Sequence, residues 1–172
     1  MNKKEKLIQA ALNCFASDGI VATTTKNIAE QAAVSEALLF KHFQSKQGLV
    51  DYLIEIAKNR GEVIVNEWLL SNHPKIIIKS IISSTLNIEK QDFKLVLFLF
   101  QFKNFGIFEQ WEYASNFNNR LLKVFHQLGS SDPAEERTVF WMQLYGVILF
   151  RKYHSVANSI AIYEKIATKY GV

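Results

Sequence analysis

The sequence predicts an all-α fold of about nine helices, on three observations. Apolar residues recur three and four apart through most of the chain, the period of an amphipathic helix rather than a strand. Only two prolines and seven glycines interrupt 172 residues. The single run that reads equally well as a buried strand, LVLFLF at 95–100, has helical neighbours and no flanking turn pair, so it too is assigned to a helix. At 49% hydrophobic and 21% charged residues the chain is globular, not disordered or fibrous.

The elements follow in order. Lys4 to Ser17 forms a first helix with Leu7, Ile8, Ala11, Leu12 and Phe15 inward, closed by Asp18-Gly19, where glycine can take the left-handed conformation. Thr24 is the N-cap of a second helix whose narrow apolar face is Ile28, Ala29 and Ala32. Ala33 and Val34 make a bend, and Ser35 caps a third helix in which Leu39 and Phe43 share one side. Ser45 caps again. The fourth helix opens at Lys46 with Leu49, Leu53, Ile56, Arg60 and Val63 as its stripe, and reaches at most Leu70 before Asn72-His73-Pro74. Ile77, Ile78, Ile81, Ile82 and Thr85 give a fifth helix a wide apolar face ending near Ile88. Asp92 is the expected cap of the sixth, which Gly106 ends. A seventh runs from about Glu109 to Leu128, stopped by Gly129-Ser130-Ser131. Asp132-Pro133 opens the eighth as N-cap and N1, and the ninth runs from Val156 to Tyr170. Gly146, inside the eighth, leaves room for another backbone.

Helix, short turn, helix between Thr23 and Lys46 is the layout of a DNA-reading helix-turn-helix. Further positions stand in register with it: Leu7, Ile8, Ala11, Phe15 and Gly19 before, Thr24-Thr25, Ile28-Ala29, Val34-Ser35, Leu39-Phe40, Phe43 and Ser45-Lys46 within, and Leu49 after. Over residues 7 to 50 the chain resembles the TetR family of bacterial transcriptional regulators. The resemblance implies a DNA-binding domain at 1–47 and a helical effector-binding and dimerisation domain at 48–172. It also implies a homodimer paired through the last two long helices, a palindromic double-stranded DNA operator, and a repressor released by a small hydrophobic or aromatic effector. The alternatives are a regulator controlled by a protein partner or by no effector, and an all-α enzyme with its site in the C-terminal body.

What the resemblance implies for single residues can be stated in this numbering. Thr24 and Thr25 present hydroxyls and N–H groups to the phosphate backbone. Lys26 reaches base edges or phosphate. Ser35, Glu36, Ala37, Leu38 and Lys41 lie where relatives touch the duplex. Lys41 is suited to guanine O6 or N7 and Ala37 or Leu38 to a thymine methyl. Phe40, His42 and Lys46 lie at phosphate-gripping positions. Three departures stand out. Ala33 occupies a turn position usually held by glycine, at a cost of roughly 1 kcal/mol if φ is positive. Phe40 replaces tyrosine and lacks its hydroxyl. Glu36 brings an acid towards the duplex, useful only against a cytosine amino group.

The C-terminal body carries no motif but many aromatics. Phe98, Phe102, Phe105, Trp111, Phe117, Trp141 and Tyr145, with Gln101 and His126 as polar partners, line either an effector pocket or an ordinary core. The eighth helix is apolar on more than one side, so it must be covered twice. Phe140, Leu144, Val147 and Ile148, with Ile162 and Ile166 on the ninth, are the expected dimer interface.

Other classes find little support. The net charge of +4 permits nucleic-acid binding without demanding it. The excess is not concentrated at the start, where Lys3, Lys4, Lys6, Lys26, Lys41 and Lys46 face Glu5, Asp18, Glu30 and Glu36. DNA affinity must therefore rest on placed contacts. His42, His73, His126 and His154 stand apart without ligand spacing, so neither a metal nor another cofactor is expected. No phosphate-cradling loop or nucleophile elbow is present. Cys14, the only cysteine, reads as a small buried thiol. The polar start lacks a signal-peptide pattern and the longest apolar run is far too short to span a bilayer, so a cytoplasmic protein with no membrane partner is expected.

Overall fold

The computed structural model describes residues 1–101 and 110–172, and the side chains of all of these except 90 and 91. Among the described residues there are nine α-helices and no strand. They are α1 (Lys3–Asp18), α2 (Thr25–Gln31), α3 (Glu36–Phe43), α4 (Lys46–Trp68), α5 (Pro74–Leu86), α6 (Lys90–Leu99), α7 (Glu112–Gln127), α8 (Pro133–Arg151) and α9 (Val156–Lys169). None is long and apolar enough to cross a membrane. The chain divides into two compact units. One holds Met1–Gly61 and Glu89–Ile107, the other Glu62–Ile88 and Phe108–Val172.

The first unit starts with a reciprocal cap. Asn2 Oδ1 accepts the Glu5 N–H at 2.9 Å while the Asn2 N–H donates to Glu5 Oε2 at 2.8 Å, satisfying two N-terminal donors of α1. The helix ends as expected at Gly19, φ +87°, whose N–H donates to Phe15 O. Leu7, Ala10, Ala11, Leu12 and Phe15 are buried, and Ile8 is half-buried. Cys14 is buried, its thiol donating to Gln31 Oε1 at 3.2 Å, and burial pushes its pKa up, which disfavours the reactive thiolate.

The ambiguous LVLFLF run is helical. Leu95, Leu97, Phe98 and Leu99 on α6 are buried, and Phe98 stacks on Phe15 with ring centroids 5.6 Å apart. Asp92 does not cap this helix. Glu89 is the N-cap residue, and the Asp92 carboxylate instead accepts from the Arg60 guanidinium at 3.0 Å. Lys94 donates to Asn13 Oδ1, and the Gln101 amide closes on the end of α1: its Nε2 donates to Phe15 O and its Oε1 accepts the Ile20 N–H at 2.7 Å. Helix α6 is thus fastened to the C-terminal part of α1 from its middle, by Lys94, and from just past its end, by Gln101.

Helix α4 buries Leu49, Val50, Leu53 and Ala57 in its first half and Val65 near its end. The expected stripe does not hold along its whole length, since Ile56 is half-buried and Val63 is 53% exposed.

The second unit is built from the end of α4 with α5, α7, α8 and α9. Ile77, Ile78, Ile81, Ile82, Phe117, Leu121, Phe125, Phe140, Leu144 and Tyr163 fill its core. Asp132 caps α8 as expected, accepting from the N–H groups of Ala134 and Glu135. Thr85 lies in the last turn of α5, where backbone carbonyls lack helical partners. Its carbonyl accepts from Arg151 Nη1 at 2.9 Å and from the buried Tyr163 hydroxyl at 3.1 Å, and a cation suits that negative helix end.

Glu136 on α8 accepts from Lys169 Nζ at 2.7 Å and from the Tyr170 hydroxyl at 2.6 Å. The bond from Lys169, reinforced by that from Tyr170, holds the Glu136 carboxyl below the ordinary value of 4.5. A depressed carboxyl pKa adds stability that is complete above the unfolded value and is lost as pH falls through the folded one. Glu136→Gln should therefore lower the melting temperature at neutral pH, and its difference from wild type should shrink below about pH 4 in thermal scans across pH.

Candidate nucleic-acid interface

Three successive hydroxyl caps fix α2, α3 and α4. Thr24 Oγ1 accepts the Asn27 N–H at 3.1 Å, Ser35 Oγ the Leu38 N–H at 3.3 Å, and Ser45 Oγ the Gly48 N–H at 2.9 Å. Between α2 and α3 the chain turns through a Schellman arrangement, Val34 N–H to Ala29 O and Ala33 N–H to Glu30 O, both 3.0 Å. This demands a left-handed residue, and Ala33 supplies it at φ +53°. The turn position that favours glycine is therefore occupied at a cost.

The turn into α4 was not visible in the sequence. Gln44 also has positive φ, +65° with ψ −35°, and the Ser45 N–H donates to Phe43 O at 2.7 Å, a tight three-residue reversal. It brings the Phe43 carbonyl against the first turn of α4, where a Cβ on Gly48 would sit 2.1 Å from that oxygen. A glycine three residues after a serine cap was the available signal.

Most expected DNA-facing side chains are accessible. Thr24, Lys26, Ser35, Ala37, Lys41 and His42 are exposed, Phe40 is 43% exposed, and Thr25, Glu36 and Leu38 are half-buried. Leu39 and Phe43 point inward beside Ile28 and Ala29, at 0% and 5% exposure, and hold the two helices together. Lys46 is half-buried and bonded within the protein. Its ammonium donates to Thr23 O at 2.6 Å and Val21 O at 3.3 Å, pinning the α1–α2 loop to the start of α4. Two of its three donors are engaged inside the protein, so it shapes the surface more than it reaches out. Glu36 is also engaged, its Oε1 accepting the Thr25 hydroxyl at 2.5 Å.

The expected effector residues fall in both units. Phe98 and Gln101 belong to the first unit, one in its core and the other fastened to α1 through both amide atoms. His126 is exposed on α7. Phe102 and Phe105, with Gly106 and the predicted start of α7 at Glu109, lie outside the described residues. What the structure does gather is Phe117 and Trp141, 6.0 Å apart with Trp68 against both, and Tyr145 stacked on Trp141 at 5.5 Å. Trp111 is buried and stacked on Tyr113.

Most of the expected dimer residues lie in the interior of their own chain. Phe140, Leu144, Val147, Ile148 and Ile166 are at most 5% exposed within one chain, so they have no surface to offer a copy. Ile162 is 37% exposed. The apolar surface left over on α8 and its end is Met142, Leu149 and Tyr153 at 67%, 45% and 76% exposure, on one stripe with Gly146, and on α9 Val156 and Ile160. A Cβ at Gly146 would meet nothing within 4 Å.

Residues 7–53, which contain the three hydroxyl caps and the whole of α2 and α3, match the family model for bacterial regulatory proteins of the tetR family. Over this segment the chain is similar to the DNA-binding domain of that family. The uncharacterized HTH-type transcriptional regulator YvkB of Bacillus subtilis is 44% identical over 61 residues, 35% of this chain and 32% of that protein. The chain thus spans about a third of the length of this curated relative. Fold similarity extends further. The ketosteroid transcriptional regulator KstR2 of Mycobacterium tuberculosis superposes with a TM-score of 0.77 over 99% of this chain and 94% of its own, at 17% identity. The TetR family transcriptional regulator PfmR from Thermus thermophilus gives 0.74 over 97% and 96%, at 16% identity. At these identities the likeness is one of fold.

The two turns make opposite predictions. Ala33→Gly relieves left-handed strain and should stabilise the first unit by about 1 kcal/mol, less the entropy glycine adds to the unfolded chain. Gly48→Ala drives a methyl into a carbonyl and should destabilise by about 1–3 kcal/mol. Denaturant unfolding of both variants checks the pair.

Proposed function

We propose that the protein is a dimeric, sequence-specific DNA-binding repressor whose reading head is the capped three-helix module at 1–47 and whose body, 48–172, dimerises and receives a hydrophobic or aromatic effector. The observation that carries the reading is the pre-set turn geometry of α2 and α3. Ala33 strain, three caps and the Lys46 pin hold a short α3 with Ala37, Phe40, Lys41 and His42 outward. Among the described residues neither Lys26 nor Lys41 has a hydrogen bond or ion pair, so each keeps its ammonium for phosphate or a base edge. Thr24 and Ser35 present their hydroxyl protons while their oxygens cap the helices.

Dimerisation supplies the second reading head that a short helix-turn-helix needs for tight binding. The stripe Met142–Gly146–Leu149–Tyr153, with Val156, Ile160 and Ile162 on α9, is the apolar surface suited to a two-fold contact. The effector reading rests on Trp141 and Tyr145, a stacked, half-buried pair backed by Phe117 and Trp68. Release of DNA requires the effector to favour the DNA-incompetent dimer. A shift carried along α4 would change the separation of the heads. Because α6 is fastened to α1 through Lys94 and Gln101, displacement of α6 would act on the same module.

Selection from a random duplex pool, followed by binding to the selected site across salt, tests this reading. A two-fold symmetric site should be enriched, and Lys41→Ala should reduce the slope of log affinity against log salt by about 1 per protomer without changing the melting temperature. Lys41 is the informative variant because Lys46→Ala would also loosen the α1–α2 loop. Leu149→Glu should yield a folded monomer by sedimentation velocity that no longer selects a symmetric site. Folded dimer that enriches no sequence would overturn the proposal.

A further inference from the structure

Glu36 is the acidic residue that opens α3, and its surroundings give it a defined task. Its carboxylate sits across from the first residue of α2, where the Thr25 hydroxyl donates to Oε1 at 2.5 Å, the length of a charge-assisted O–H to carboxylate bond. Both residues are half-buried, and Thr25 and Glu36 are the first residues of their helices. The side chain is therefore held between two helices, not left to sweep through solvent. One oxygen is engaged and Oε2 remains. A carboxylate is an acceptor only, so whatever that oxygen meets on the duplex must donate.

In the major groove, donors are scarce. Cytosine offers its N4 amino group and adenine its N6 amino group, whereas guanine O6 and N7 and thymine O4 are acceptors. Phosphate is repelled. Building on the DNA-binding role proposed above, we infer that Glu36, positioned by Thr25, is a specificity-determining residue that selects an exocyclic amino group, cytosine foremost, at one position in each half-site. The neighbouring outward residues cannot duplicate this. Ala37 and Leu38 have no polar side-chain atom, and Lys41 is a pure donor that prefers guanine. Among the outward side chains of α3 from Glu36 to Lys41, Glu36 is the one acceptor. The anchoring also has a consequence for fidelity, because an oriented acceptor rejects the wrong base more sharply than a mobile one.

The same random-pool selection, run in parallel on wild type, Glu36→Ala, Thr25→Val and Thr25→Ser, decides the matter. Wild type should enrich a symmetric site with cytosine, or less strongly adenine, at one matched position per half. Glu36→Ala should leave the remainder of the site intact and flatten that position, with discrimination there falling by roughly 5- to 100-fold, the range of one mismatched base pair. Thr25→Val should weaken the same position while Thr25→Ser retains it. That pattern would not arise if Thr25 merely supported the fold, and equal melting temperatures exclude unfolding. An unchanged profile in Glu36→Ala, or a uniform gain in affinity for every duplex, would overturn the inference while leaving the regulator reading in place. A wild-type dimer that enriches nothing would overturn both.

Discussion

The reading head depends on one tight backbone reversal, from Phe43 to Gly48. Phe43 O accepts the Ser45 N–H across a Gln44 with positive φ, and the next helix begins so close that Gly48 has no space for a Cβ. From that point Lys46 reaches back to the carbonyls of Val21 and Thr23 and fixes the approach to α2. The angle between α2 and α3 follows from the second forced residue, Ala33. Two non-glycine residues in left-handed conformations, Ala33 and Gln44, are strain stored beside the surface proposed to meet DNA, the usual place for it. The caps at Thr24, Ser35 and Ser45 and the packing of Leu39 and Phe43 offset that strain.

Much of this was legible in the residues. The caps, the burial of Ile28, Ala29, Leu39 and Phe43, and the positive φ at Ala33 all follow from local chemistry acting over a turn or so of chain. The helical state of LVLFLF was decided by its neighbours, and it stands. Long-range polar partners were not legible. Gln101 looked like a ligand contact because a glutamine among aromatics suggests a pocket, yet its partners are the Phe15 carbonyl and the Ile20 N–H, far back in the chain. Asp92 does not cap for the same reason, since a charged side chain near a helix start is read locally while its guanidinium partner arrives through the fold, and the carbonyls that Lys46 bonds arrive in the same way.

Periodicity also cannot say which of two covers an apolar helix receives. Helix α8 was expected to be covered on more than one side, and Phe140, Leu144 and Val147 face the core of their own chain. The residues left for another copy are Met142, Leu149 and Tyr153, on the stripe that carries Gly146. Their helical spacing is visible in the sequence, but so is that of the buried set, and only packing distinguishes them.

The central claim is that α2 and α3, held by these turns, form the surface that meets DNA. Amide hydrogen exchange of the folded dimer, with and without its selected duplex, tests it most directly. The account predicts added protection centred on residues 24–46, in the caps and turns of α2, α3 and the start of α4. Protection falling instead on α7 to α9, with residues 24–46 unchanged, would contradict it.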